Sequence, residues 1–152
     1  MRHRLYLHLV WTTLDRAPLI DAACARFLTR YLRAITAEER ARVLAVGIVA
    51  THVHLLLATH PSTNLPRLIQ RLKGASARIA NREGHAPLGT PLRWAEGYNV
   101  QTVSLSLLGR TREYVLCQAD HHPNEAIPNW DGDTGVTEWR EVSDSARHEV
   151  RP

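Results

Sequence analysis

Between residues 5 and 11 apolar and polar side chains alternate: Leu5, Leu7, Leu9 and Trp11 fall on one side of the chain, Tyr6, His8 and Val10 on the other. A two-residue period is that of a strand with one face against a core. The period then lengthens. After Asp21, a residue suited to capping a helix, Ala23, Phe27, Leu28, Tyr31, Leu32 and Ile35 recur at spacings of three and four. The stretch Val46–Thr59 is nearly all Val, Ile, Leu and Ala; it predicts buried strand, with a second strand at about 42–50 and a third carrying His52 and His54.

Pro61-Ser-Thr-Asn-Leu-Pro66 is punctuation for a helix start, with Asn64 or Thr63 as cap and Pro66 in the first turn. Leu65, Leu68, Ile69, Leu72, Ala75, Ser76 and Ile79 trace the inner stripe of that second helix. Residues 83–91, rich in Gly and Pro, predict a loop, residues 98–105 a fourth strand, and Arg110 to about His121 a last helix. The order strand, helix, strand, strand, helix, strand, helix predicts an α+β protein. Its first six elements match a ferredoxin-like split βαβ sandwich with a four-stranded antiparallel sheet, open to a fifth strand. The C-terminal helix would cover the other face.

At 152 residues the chain has the size of one domain with a real core. Its apolar runs are too short to span a bilayer, and Met1-Arg-His-Arg-Leu leads into Tyr, His and Trp rather than a signal-type segment, so a cytoplasmic protein with no membrane partner is expected. Cys24 and Cys117 make no CxxC pair and no disulfide framework. Charge divides the chain unevenly. Residues 1–122 carry 16 Lys and Arg against 8 Asp and Glu, whereas residues 123–152 carry 3 against 7. A basic body of this kind suits a polyanion. Two units are therefore expected: a domain over 1–122 and an acidic tail over 123–152, irregular or mobile, with isolated Trp130 and Trp139.

The chemistry-bearing residues lie on three of the predicted elements. Because a strand alternates its faces, His52 and His54 project from one side and Val53 and Leu55 from the other, leaving two imidazoles close enough to grip one ion. Packing at a wet sheet face would use the same spacing. In the last helix Tyr114 and Gln118 are four apart and share a side, which pairs a hydroxyl nucleophile with an amide oxygen that a metal could accept; ordinary surface packing also produces such a pair. Arg67, Arg71, Lys73 and Arg78 lie mostly off the inner stripe of the second helix, as either a solvated face or one that meets a nucleic-acid backbone.

The ordered set His52-Val-His54, Tyr114-Val-Leu-Cys-Gln118, His8-Leu-Val-Trp11, Leu72-Lys-Gly74 and Trp94-Ala-Glu-Gly-Tyr98 resembles the HUH-type single-tyrosine transposases of small insertion sequences. The stretch from Tyr114 to His122, ending in two histidines, looks particularly like the REP-associated tyrosine transposases. The likeness spans nearly residues 1 to 122; Cys117, where the family often has Asn, and the acidic tail depart from it. The resemblance implies a metal-dependent transposase and endonuclease of single-stranded DNA. His52, His54 and Gln118 would hold one divalent ion, Mg or Mn, and Tyr114 would attack the scissile phosphate to give a 5′-phosphotyrosine. Hairpin-forming single-stranded DNA would be the partner, contacted by Arg67, Arg71, Lys73 and Arg78 and by exposed aromatic rings. On position alone His8, His121 and His122 are candidates for an accessory base, with structural histidines held by hydrogen bonds as the other reading. Relatives act either as homodimers that exchange the tyrosine helix or as monomers, and the bacterial protein would be nucleoid-associated when bound to DNA.

Two other readings compete. A catalytically silent nucleic-acid-binding module can use the same frame, but the His-bearing strand offers Leu55, Leu56 and Leu57 where an RNA-recognition sheet presents stacking rings. A zinc hydrolase built on the His pair lacks an HExxH or comparable spacing.

Overall fold

The structure, a computed structural model, describes residues 4–133; the remainder of the acidic tail, with Trp139, lies outside the described residues. Four strands, β1 (Leu5–Thr12), β2 (Ala41–Val49), β3 (His52–Thr59) and β4 (Asn99–Val103), form one antiparallel sheet in the order β2-β3-β1-β4. This is the ferredoxin-like order, with four strands among the described residues. None of their helices is long and apolar enough to cross a membrane.

On one face of the sheet lie α1 (Ala22–Glu38) and an irregular helical segment made of α2 (Leu65–Gln70), a π-helical turn (Arg71–Ala75) and α3 (Ser76–Arg82). Asp21 caps α1 by accepting from the Cys24 amide at 2.9 Å, and Asn64 caps α2 by accepting from Arg67 N at 3.1 Å. Ala23, expected on the inner stripe of α1, is exposed, and Cys24 and Ala25 fill the core instead. Leu7, Leu9, Trp11, Val53, Leu55 and Leu57 from the sheet pack here on Phe27, Leu28, Leu32, Leu68 and Leu72.

The second face is covered as well. There α4 (Leu108–Leu116) and α5 (Gln118–His121) pack on β2 and β3, and Leu44, Ala45, Leu56, Ala58, Leu108 and Val115 form a smaller core. Burial on both faces explains why β3 reads as an unbroken apolar run, buried at all eight positions. A bulge between Val43 and Ala45 sends both Leu44 and Ala45 to the second face. The strand beyond it is re-phased, so that Gly47 is paired with His54.

The predicted last helix is interrupted. Cys117 (φ −99°, ψ 29°) ends α4, and Gln118 opens the separate turn α5. The start of the tail is packed onto the domain: Ile127 is buried, Trp130 lies against the main core, and Asp133 Oδ2 accepts from Arg33 at 2.6 Å and from the Val46 amide on the sheet edge at 3.1 Å. Covering an edge amide in this way blunts a strand that could otherwise pair with another chain.

Candidate active site

Strand alternation and register bring the histidines together. Val10 pairs with His54 and His8 with Leu56, so His8 and His54 are diagonal neighbours on the second face of the sheet. Their rings hydrogen-bond, His8 Nε2 to His54 Nδ1 at 2.8 Å. His52, two residues before His54 on the same face, has its ring centroid 5.0 Å from that of His54. Burial holds His8 and His52 below the usual imidazole range and pushes His54 down to about 3. All three rings are therefore neutral at physiological pH, with a lone pair on one nitrogen each.

The tyrosine helix closes the site from above. Gln118 is buried, and its Nε2 donates to the Tyr114 carbonyl at 2.8 Å, which turns its Oε1 toward His52 Nε2 at 3.4 Å. The Tyr114 ring is half-exposed and lies 5.7 Å from the His54 ring, 6.0 Å from His8 and 4.9 Å from His121. His122 meets His52 edge-on at 4.9 Å. Tyr114, Gln118, His8, His52, His54, His121 and His122 thus form one cluster within a single chain.

Close approach of the helix depends on Gly47. A β-carbon there would overlap the Val115 carbonyl oxygen and stand 2.9 Å from Gln118 Cγ. No φ in the left-handed region is involved, so glycine is required here for space.

Among the described residues no group of three or more His, Cys, Asp or Glu side chains is set to hold a metal ion, so a cation here needs the amide as its third protein donor. Two of the three donors are spaced for one. With metal–ligand bonds of about 2.1 Å, two donors on one ion stand about 3.0 Å apart in octahedral and about 3.4 Å in tetrahedral geometry. The gap between His52 Nε2 and Gln118 Oε1 is 3.4 Å.

The cations of the second helix are placed differently. Packing of α2 and α3 on the first face leaves the sheet between them and Tyr114. Glu39 takes both Arg67 Nε (3.0 Å) and Arg71 Nη1 (2.8 Å), and Glu38 takes Arg71 Nη2 at 2.6 Å. Lys73 Nζ donates to the carbonyls of Ala95 (2.9 Å) and Gly97 (2.6 Å), which ties Leu72-Lys-Gly74 to Trp94-Ala-Glu-Gly-Tyr98. Arg78 is exposed. A different basic surface lies at the far end of the site-bearing strands, where Arg4, Arg40, Arg42 and His60 line a cleft of about 340 Å³ with Ala41, Ala58 and Thr59. Arg42 pairs with Ala58 across β2 and β3, and Ala58 belongs to the second-face core.

Comparison with known proteins agrees with this architecture. Residues 1–118 match the family described as Transposase IS200 like. The chain is 31% identical over 121 residues to the ISDra2 transposase TnpA of Deinococcus radiodurans, covering 78% of this chain and 86% of that protein. A crystal structure of a chain from Deinococcus radiodurans R1, assigned as a transposase, superposes with a TM-score of 0.60 at 27% identity, over 84% of this chain and 95% of that one. A REP-associated tyrosine transposase bound to a REP hairpin shares the fold, with a TM-score of 0.56 at 9% identity, over 80% of this chain and 70% of that one. The chain belongs to the IS200-like transposase family.

Proposed function

We propose that this protein cleaves and rejoins single-stranded DNA at hairpin ends through a covalent bond to Tyr114, with a divalent cation, Mg or Mn, held by His52, His54 and Gln118. The observation that carries the reading is the convergence on one sheet face of two neutral imidazoles, a buried amide oxygen and a half-exposed tyrosine ring 5.7 Å from His54. When bound, the cation would neutralise charge developing on the scissile phosphate.

The chain's own groups do the rest. Tyr114 Oη attacks phosphorus; the Oη–P bond forms, the P–O3′ bond breaks, and the 3′ oxygen leaves as a hydroxyl after taking up a proton. A phenol that keeps its proton is a weak nucleophile, so the Tyr114 proton needs an acceptor. Beside its ring, apart from the ligand His54, stand His121 and His8, which are the groups available. The resulting 5′-phosphotyrosine keeps the phosphodiester's energy, so that attack by a 3′-hydroxyl rejoins DNA without ATP. The Tyr114 ring stands 5.7 Å from His54 of its own chain, a placement that supports attack in cis.

Backbone binding would draw on the basic cleft at Arg4, Arg40, Arg42 and His60, on Arg78, and on Arg67, Arg71 and Lys73 to the extent that their internal partners release them. Exposed Tyr98 is a surface on which a base can stack.

The test is incubation with labelled single-stranded hairpins from sequence flanking the gene, with and without Mn²⁺. A denaturation-resistant protein–DNA band that needs metal and disappears in Tyr114→Phe is expected. Retarded DNA with no covalent band in the wild-type protein would favour a silent DNA-binding protein.

A further inference from the structure

Behind His52 lies a relay of side chains from two other elements. Thr51, in the turn between β2 and β3, is buried; its Oγ1 stands 2.6 Å from Glu125 Oε1 and 2.9 Å from His52 Nδ1. Glu125 ends a 3₁₀ turn (Pro123–Glu125) and is bound in place through its main chain: its carbonyl accepts from the Ala50 amide at 2.8 Å, and its amide donates to the His122 carbonyl at 2.9 Å. Its second carboxylate oxygen faces His122 Nδ1 at 3.2 Å.

The proton count in this relay has one solution. An ionised carboxylate only accepts, and a hydroxyl carries a single proton. At neutral pH a carboxylate is ionised, and Glu125 Oε1 lies within donating distance of the Thr51 hydroxyl at 2.6 Å. The Thr51 proton therefore goes to Glu125 Oε1, and Thr51 Oγ1 has only a lone pair to offer His52 Nδ1. His52 Nδ1 must carry the ring's hydrogen. Its Nε2 is then a bare lone pair facing Gln118 Oε1, itself an acceptor, across 3.4 Å. Two lone pairs facing each other across this distance leave a place that a cation can fill.

We propose that Thr51 and Glu125 are positioning residues that lock His52 in the Nδ1–H tautomer and so present its Nε2 as the metal-binding nitrogen. The inference rests on reading His52, His54 and Gln118 as a cation site. Partners behind a ligating histidine fix its tautomer and ring orientation, and losing one typically costs about 10- to 100-fold in metal affinity.

The test has two readouts on the full chain. Long-range ¹H–¹⁵N correlation spectra of metal-free, histidine-labelled protein report which ring nitrogen of His52 carries the proton, with no DNA or activity involved. Wild type is expected to show His52 protonated at Nδ1 alone, Thr51→Ser to keep that signature, and Thr51→Val and Glu125→Gln to lose it by mixing the tautomers. In calorimetric titration with Mn²⁺, Thr51→Val and Glu125→Gln should bind about 10- to 100-fold more weakly and Thr51→Ser close to wild type. A wild-type proton on His52 Nε2 overturns the proposal whether or not the variants fold, as does unchanged Mn²⁺ affinity in a folded Thr51→Val. An Nδ1–H signature in a wild-type protein that binds no Mn²⁺ instead overturns the cation site, and with it the purpose assigned to the relay.

Discussion

Gly47 of β2 and Val115 of α4 approach so closely that a β-carbon on the glycine would overlap the valine's carbonyl oxygen. Gly47 is the strand partner of His54, and Gln118 follows Val115 by three residues, so this contact sets the height of the tyrosine helix over the histidines. Gly47→Ala must lift α4 and α5 from the sheet. Overpacking of this kind costs about 1–3 kcal/mol, within what a folded domain tolerates. We expect a variant with wild-type circular dichroism, a lowered Tm, and Mn²⁺ affinity and DNA cleavage reduced at least about tenfold, since an ångström of misplacement at a site is that damaging. Full activity in Gly47→Ala would show that the helix height is not critical.

The basic cleft supports a prediction in salt. Arg4, Arg40 and His60 are exposed, and among the described residues no carboxylate lines the cleft with them. Each cation that neutralises a phosphate adds about 0.7 to 0.9 to the slope of log K against log salt. In hairpin-binding isotherms at several salt concentrations, Arg4→Ala/Arg40→Ala should therefore lower that slope by about one to two units. Its Mn²⁺ affinity should match wild type. An unchanged slope would exclude these arginines from the backbone path.

Acid should destabilise the metal-free protein through its buried imidazoles. His8, His52 and His54 are held below the ordinary value by burial, His54 at about 3. Unfolding returns each to about 6.5. Below that pH the unfolded chain takes up protons that the folded chain refuses, so this stability is complete above about 6.5 and is lost as pH falls toward the folded values. Tm should drop steadily from neutral pH to about 4.5, and His54→Gln should flatten the slope. A flat profile in wild type would mean that these rings protonate freely in the folded state.

What could be read from the chain was what depends on local period. Alternation alone puts His52 and His54 on one face and Val53 and Leu55 on the other, and Asp21 and Asn64 cap the helices their positions predict. The helix break at Cys117 has no local signature, because Tyr114–Gln118 suits an unbroken turn. Glu38 and Glu39 engage Arg71 from another helix, and Ala95 and Gly97 engage Lys73 from a loop, pairings that a stripe of basic residues cannot announce. Thr51 and Glu125 meet across 74 positions and carry no motif. Gly47 was legible in principle, since a glycine inside an apolar strand marks close approach by another backbone.

The most direct test of the account is to trap the covalent adduct on a single-stranded hairpin substrate in Mn²⁺, digest it, and locate the modified peptide by mass spectrometry. The account predicts a nucleotide attached through its 5′-phosphate to the peptide containing Tyr114, absent when metal is chelated. A nucleotide on any other residue, or metal-dependent cleavage with no attached peptide, would contradict it.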